Sequence, residues 1–380
     1  MQRALALAEV SIGLASPNPQ VGCVLVRDGK VLGEGAHLYD RFDHAEIVAL
    51  KQCPDPAGAT AYVTLEPCSH HGRTGPCADA LIAARVARVV VATADPNPEV
   101  SGRGLARLRA AGIQVDLGLL QAPARALNNA FAWSITHRRP FVTLKAGLSV
   151  DGQLAPNPTH RTETAPVFLT GPAARADVQH LRHASDAILT GIGTVLADDP
   201  LLTDRTNLPR RRPLMRIVLD SDLRTPLASK LLHPVAQDLW IFCSPTAPPD
   251  RLAALAEAGA LVTALPSTPA GLDLTELLRH LHQAKLLSVL LEAGSALNGA
   301  FLRAQLVDQA ILFYSETELG PSAIPFARDF PSPFALEQNL HQLNKHTIGP
   351  DVRVSGLLHN PWPLESKSGV AAEGQKLPSL

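Results

Sequence analysis

Apolar positions in residues 1 to about 120 switch repeatedly between a helical repeat of about 3.6 residues and the alternation or short unbroken runs of strands. Leu5, Ala8 and Ile12 share one helical face at the start. Two β-rich runs follow, Val21 to Val26 and Val31 to Gly35, joined at Asp28-Gly29, a dipeptide that favours a tight hairpin. Helices are predicted over His44 to Cys53, Cys77 to Arg85 and Gly104 to Ala111, the last ended by Gly112. Strands are predicted over Ala61 to Leu65 and Val89 to Ala94, the second a continuous apolar run of the buried kind. This β-β-α-β-α-β-α order places His44 and Cys77 at helix N-termini, where strands deliver them to one crevice. The helix dipole there is expected to favour thiolate at Cys77.

A helix-like stretch, Ala124 to Thr136, ends in the basic corner His137-Arg138-Arg139-Pro140, and a second α/β pattern begins. Its strands are predicted at Phe141 to Ala146, Ala187 to Thr190, Arg216 to Leu219, Leu239 to Phe242, Leu287 to Leu291 and Gln309 to Tyr314. Helices are expected at 171–183, 249–258, 273–284 and 295–304, so the sheet should be mostly parallel. The expected division is a domain over 1–121, a linker helix over 122–139, a second domain over 140–358 and a disordered tail over 359–380.

Composition narrows the class of partner. The 380 residues are 46% hydrophobic and 18% charged, which suits folded domains with their own cores. A formal net charge of −1 and 4% aromatic residues give neither the basic footprint nor the stacking platform of a nucleic-acid binder. Glu9 interrupts the first apolar run and no small-residue cleavage site follows, so a helix is expected there rather than a signal peptide. No apolar stretch approaches the ~18–20 residues of a membrane span. Five cysteines, an odd number, fit reduced thiols in the cytoplasm better than a disulfide framework.

His44-Ala45-Glu46, then Pro67-Cys68 and Pro76-Cys77, stand in the order of a zinc hydrolytic deaminase signature. Alone, such a His is more often a core or surface residue, and a buried Cys mostly a small hydrophobe. Together, one imidazole and two thiolates supply three tetrahedral positions of Zn²⁺ and leave the fourth for water, whereas a structural site closes all four. Glu46 is then a proton shuttle rather than a ligand. Eight residues separate Cys68 from Cys77, against two in deaminases of nucleic acids and cytidine. The insert is polar, and His70, His71 and Arg73 suit an anionic group; a solvated loop is the plainer alternative.

The runs Ser16-Pro17-Asn18-Pro19-Gln20-Val21-Gly22-Cys23, His44-Ala45-Glu46 and Thr64 to Cys77 closely resemble the bifunctional riboflavin-biosynthesis deaminase/reductase family. Asp95-Pro96-Asn97-Pro98 and Gly102-Arg103-Gly104 continue the likeness, and Gly75 stands where the family usually has Pro. The resemblance implies a cytidine-deaminase-like three-layer α/β domain with zinc on His44, Cys68 and Cys77 and Glu46 as proton shuttle. It also implies Asn18, His37, His70 and Arg73 as contacts to a diamino-ribosylamino-pyrimidinone 5′-phosphate, which such enzymes deaminate before reducing its ribosyl group to ribityl.

Lys145 to Gly152 and Thr190 to Arg205 look like the reductase half of that family, whose fold resembles dihydrofolate reductase. Read without the resemblance, Gly191-Ile192-Gly193-Thr194 is equally a plain tight turn, because it lacks the third glycine of a dinucleotide fingerprint. Glu292-Ala293-Gly294-Ser295 follows a strand and opens a helix, where free N–H groups favour phosphate. The likeness assigns NADPH to Leu148, Phe168, Thr194, Asp198, Ser221, Gly294, Ser295 and Ala296, and the sugar phosphate to Arg182, Leu202, Arg205 and Glu292. Two departures stand out: Pro166 replaces a substrate-binding Ser, and Phe168 a cofactor-packing Trp. Ser315-Glu316-Thr317-Glu318 also replaces a more apolar strand end. An alternative therefore stays open, in which the second half has lost reduction and serves assembly only. A nucleoside or tRNA deaminase is opposed by the long Cys loop and the neutral charge, and a structural zinc protein by the missing fourth ligand. The expected protein is a cytoplasmic homo-oligomer acting on a small molecule, away from nucleic acid and membranes.

Overall fold

The computed structural model describes residues 1–70, 75–98, 100–157, 168–233 and 237–362. Among these, the first sheet comprises β1 (Gly22–Arg27), β2 (Lys30–Ala36), β3 (Thr60–Val63), β4 (Arg88–Val91) and β5 (Gln114–Leu117), in the order β2-β1-β3-β4-β5. β1 pairs antiparallel with β2 and β3, and β3, β4 and β5 run parallel. Asp28 and Gly29 take φ of 51° and 74°, the left-handed pair that a two-residue hairpin demands.

Alternation decides the layers. Cys23, Leu25, Ala61, Val63, Val89 and Val91 share one face, packed with residues of the helices that bear the metal motif. The first domain has α1 (Gln2–Val10), α2 (Ala45–Lys51), α3 (Cys77–Ala83), α4 (Arg103–Ala110) and α5 (Gln121–Leu127). α2, α3 and α4 cover that face, while Leu5 of α1 and Ala124 of α5 pack with Ala92 on the other, giving three layers. Gly35 of β2 matters for the site, since a Cβ there would lie 2.4 Å from the Ala45 carbonyl. Its absence lets the first turn of α2, with Glu46, settle onto the sheet.

The single helix predicted from Ala124 to Thr136 is two, α5 and α6 (Asn129–His137), meeting at Asn128. The buried Asn128 carboxamide accepts from the Gln20 N–H at 2.7 Å and donates to the Gln20 carbonyl at 2.9 Å. An Asn side chain that takes over backbone pairing competes with a continuous helix.

The second domain begins with β6 (Phe141–Leu148), β7 (Gln153–Ala155), α7 (Pro172–Ala184), β8 (Ala187–Gly191), α8 (Ile192–Asp198), β9 (Met215–Leu219) and β10 (Leu239–Cys243). There follow α9 (Pro249–Glu257), β11 (Leu261–Ala264), a short hairpin of β12 (Ser267–Thr268) and β13 (Gly271–Leu272), α10 (Leu274–Gln283), β14 (Ser288–Leu291) and α11 (Ser295–Arg303). The remainder is β15 (Gln309–Tyr314), β16 (Ile324–Pro325), α12 (Pro333–Glu337), β17 (His341–Ile348) and β18 (Asp351–Leu357). The main sheet runs β11-β10-β9-β8-β14-β6-β15-β18-β17, parallel from β11 to β15 and antiparallel at β18 and β17. α10 and α11 cover the face bearing Leu144, Leu189, Leu291 and Leu312. α7 packs on the opposite face against Ile311 and Phe313, and α9 lies on that side against Ile241.

The end of the chain returns to the first domain. The His359 Nδ1–H donates to the buried Asp308 carboxylate at 2.9 Å, and the ring stacks on Trp133 of α6. Trp362, 6% exposed, packs into the first domain's core and its indole N–H donates to Asn129 Oδ1 at 2.9 Å. Residues 359–362, expected in the disordered tail, are therefore packed, because these two rings find partners at the domain junction. Residues 363–380 lie outside the described residues. Among the described residues, no helix is long and apolar enough to cross a membrane.

Candidate active sites

β3 and α3 deliver two cysteines, and the residue ahead of α2 delivers a histidine, to one point. Cys68 Sγ and Cys77 Sγ lie 3.6 Å and 3.2 Å from His44 Nδ1, and the three ligand atoms fall within 4.8 Å of one another. Ligands on a tetrahedral zinc at ~2.0–2.3 Å stand about 3.5 Å apart, so both the spacing and the S₂N donor set fit that ion. Cys68, Cys77 and His44 are the residues that would hold it.

The helix at Cys77 acts on its neighbour. The Cys77 N–H, first of α3, donates to Cys68 Sγ at 3.3 Å, and the Ala78 N–H to the Cys68 carbonyl. A hydrogen bond from the Cys77 side chain, against the cost of burial and with help from His44, holds the Cys68 thiol down at about 4. Cys77 is pushed up by Cys68, by burial and by Glu46. The expected thiolate at Cys77 thus does not follow from the helix alone.

Glu46 is 3% exposed, and burial pushes its carboxyl up to about 7 despite His44. Asn18 Nδ2 meets His37 Nε2 at 3.0 Å, and the His37 ring stands edge-on to His44, centroids 5.1 Å apart. Asn18, His37 and His44 therefore adjoin one another, and Glu46 lies beside His44, Cys68 and Cys77. His70 is exposed at the start of the Cys loop, while His71 and Arg73 lie outside the described residues.

In the second domain, the carboxyl ends of β9, β8, β14 and β6 form one edge, the place where open parallel sheets bind ligands. Ser221 follows β9, Thr194 opens α8 after β8, and Gly294, Ser295 and Ala296 open α11 after β14. A Cβ on Gly294 would lie 3.7 Å from Thr194 Oγ1, so these two turns adjoin. Ser295 Oγ is buried with no hydrogen-bond partner among the described residues, a donor suited to a phosphate oxygen. Asp198 ends α8. Leu148 and Leu202 have side chains in the core, leaving only their backbone to face a ligand. Phe168 is 68% exposed with Arg175 5.2 Å from its centroid, and Pro166 lies outside the described residues.

Arg182 of α7 donates to Glu292 from Nε at 2.7 Å and from Nη2 at 3.1 Å, and Lys145 Nζ lies 3.5 Å from the same carboxylate. Burial pushes Glu292 up, but Lys145 and Arg182 outweigh it and leave the carboxyl at about 2. Arg182 also donates to the Thr203 carbonyl at 3.0 Å, tying the Leu202 segment to this ion trio. Arg205 is exposed beyond it.

Comparison with known proteins agrees with both halves. Residues 1–93 match the family described as the cytidine and deoxycytidylate deaminase zinc-binding region, and residues 140–353 match the RibD C-terminal domain. The riboflavin biosynthesis protein RibD of Escherichia coli K12 is 42% identical over 337 residues, spanning 85% of this chain and 88% of its own. The chain belongs to the RibD family. RibD of Haemophilus influenzae is 38% identical over 375 residues, covering 93% of this chain and 95% of its own. The solved RibD of Acinetobacter baumannii superposes with a TM-score of 0.79 at 37% identity, covering 94% of this chain and 97% of that one. A Thermotoga maritima structure described as a diaminohydroxyphosphoribosylaminopyrimidine deaminase/5-amino-6-(5-phosphoribosylamino)uracil reductase gives 0.78 at 32% identity, covering 93% and 96%. As a RibD protein, the chain is a bifunctional enzyme of riboflavin biosynthesis, with a zinc-binding deaminase domain followed by a reductase domain that implies a nicotinamide cofactor.

Three RibD residues gain roles that sequence reasoning did not assign. Glu66 is 4% exposed and accepts the N–H groups of Asp95, Gly102, Gly104 and Leu105, fastening the segment before Cys68 to α4. Burial pushes the Asp95 carboxyl up to about 6, and it accepts the Asn97 N–H at 2.8 Å, shaping the turn after β4. Lys145 sits between the core residues Leu144 and Ala146, on the half-buried face of β6 with Thr143 and Gly147, so it keeps the strand's alternation and only its pairing with Glu292 marks it out.

Proposed function

We propose that the first domain deaminates a diamino-ribosylamino-pyrimidinone 5′-phosphate and that the second reduces the ribosyl group of the product to ribityl with NADPH. The observation that carries this reading is the buried Glu46 carboxylate beside the His44, Cys68 and Cys77 cluster. Bound there, zinc supplies the Lewis acidity that makes water a nucleophile near neutral pH. Glu46 accepts the proton of that water on a carboxylate oxygen and returns it to the departing amine. Asn18 and His37 orient the pyrimidine, and the family resemblance assigns His70 and Arg73 as further substrate contacts, with an anionic group the suited partner.

At the second site, Thr194, Asp198, Ser221 and the Gly294 to Ala296 turn hold the dinucleotide, with Leu148 and Phe168 beside it. The cofactor supplies hydride. Arg182, steered by Glu292, and Arg205 bind the sugar phosphate, with the Leu202 backbone beside it. The survival of Thr194, Arg182 and Glu292 in one constellation supports a working reductase despite Pro166. Five free thiols suit the cytoplasm.

The test is incubation of the zinc-loaded protein with the diamino-pyrimidinone ribotide, with and without NADPH, reading products by mass. Replacement of an amino group by oxygen is expected in both, and addition of two hydrogens only with NADPH. No deaminated product would refute the first assignment; deamination without NADPH oxidation would refute the second.

A further inference from the structure

Arg211 lies on the second domain's segment between α8 and β9, yet its bonds go to the first. Its backbone N–H donates to the Gly13 carbonyl at 2.9 Å, and its Nε–H to the Ser16 carbonyl at 2.9 Å. The guanidinium covers the Tyr39 ring, 4.5 Å from the centroid. Gly13 and Ser16 lead directly into Asn18, whose N–H donates to the Ala15 carbonyl at 2.9 Å. Tyr39 opens a single 3-10 turn two residues after His37, and its N–H donates to the Leu14 carbonyl at 3.2 Å. Arg211 therefore clasps the two segments that carry Asn18 and His37, the pair that meets at 3.0 Å beside His44.

The clasp is anchored firmly on its own side. Arg210 donates to the carbonyls of Arg182, His183 and Ser185 at 3.1, 2.6 and 2.7 Å. Arg212 pairs with Asp186 at 3.0 Å and reaches Ser16 Oγ at 3.3 Å. Gly13 holds a φ of 75°, and a Cβ there would lie 3.0 Å from His183 Cε1, so the two domains are in close contact where the wall begins.

We propose that Arg211 is a positioning residue for deamination: from the reductase domain it sets the 13–18 loop and Tyr39, and through them the Asn18–His37 wall of the deaminase site. Short loops hold few contacts of their own, so an outside peg with three attachments limits their freedom. A displacement of about 1 Å at such a wall costs on the order of 10²-fold in rate. The proposal rests on the reading of Asn18 and His37 as substrate contacts.

The experiment compares full-length wild type, Arg211→Ala, Arg211→Lys and Tyr39→Leu. For each, deamination KM and kcat, reduction of supplied deaminated substrate, zinc content and amide hydrogen exchange at residues 13–20 are measured. Arg211→Ala should lower the deamination kcat/KM by roughly ten- to a hundredfold, through both KM and kcat. Zinc content and reduction should stay at wild-type levels, and the Asn18 amide should exchange faster. Arg211→Lys should fall between, because it keeps the cation but loses the planar donor. Tyr39→Leu should move kcat/KM in the same direction. Wild-type kcat/KM and exchange in Arg211→Ala would overturn the positioning role while leaving the deaminase reading intact. Joint loss of both activities and zinc would overturn it too, since the effect would then be on folding; Tyr39→Leu with unchanged kcat/KM would count equally against it. Absence of deamination by the wild type would instead sink the substrate reading.

Discussion

Glu46 has to take a proton and give it back, and its burial, which raises the carboxyl, favours the protonated form through which that role passes. Glu46→Gln keeps the volume and removes the exchangeable proton site. Its deamination rate should fall on the order of 10²–10⁴-fold, with zinc content and reduction unchanged, as read by product mass and metal analysis. Near-normal turnover would remove Glu46 from the proton path. Cys77→Ser should lose most of the zinc, because a hydroxyl does not ionise readily and Cys68 and His44 alone leave two tetrahedral positions open. Atomic-absorption analysis after dialysis reads this directly, and full retention would exclude Cys77 as a ligand. Such residues were legible in the sequence because the chemistry fixes both their types and their order. Glu66 was not, since its partners are backbone N–H groups some thirty or more residues further on.

Elements were legible where burial imposes a period. The strand expected at Gln309 to Tyr314 forms with those bounds, since one face meets the core under α10 and α11 and the other meets α7. β17 escaped notice because its residues His341 to Thr347 are all exposed, leaving no apolar alternation to read. α8 and β5 are short and only partly buried, so they too leave a weak pattern. The Lys145–Glu292–Arg182 trio depends on three separate elements, β6, α7 and the end of β14, and only the fold joins them. Glu292→Gln would leave two cations facing each other, at a cost of about 3 kcal/mol in unfolding free energy. Because the folded carboxyl sits near 2, below an unfolded value of about 4.3, its contribution is full above that value and fades as pH falls toward 2. Urea unfolding should therefore separate wild type from Glu292→Gln by a constant amount from pH about 5 to 8, with the gap closing below pH about 4. A gap that persisted undiminished to pH about 2 would contradict the ion-trio account. NADPH oxidation should fall in the same variant while deamination persists.

The two domains are joined at more places than the linker. Arg139 of the linker corner donates twice to the buried Asp308, at 2.6 and 2.7 Å, and His359 closes on the same carboxylate. Trp362 then crosses to the first domain's core, under the Arg125 guanidinium at 5.2 Å. Trp362→Ala should lower the stability of the first domain by about 3 kcal/mol, read as an earlier first transition in thermal unfolding with the second unchanged. A domain boundary is visible in sequence as a change of pattern, whereas a single aromatic residue returning over more than two hundred positions leaves no pattern at all. That return has a consequence for the order in which the protein is made. Synthesis runs from the N-terminus, so the deaminase domain leaves the ribosome early, but the Trp362 ring reaches its core only after the second domain has been translated. A gene cut at the linker would yield a first product that never receives that piece, and the fused reading frame supplies it to every copy.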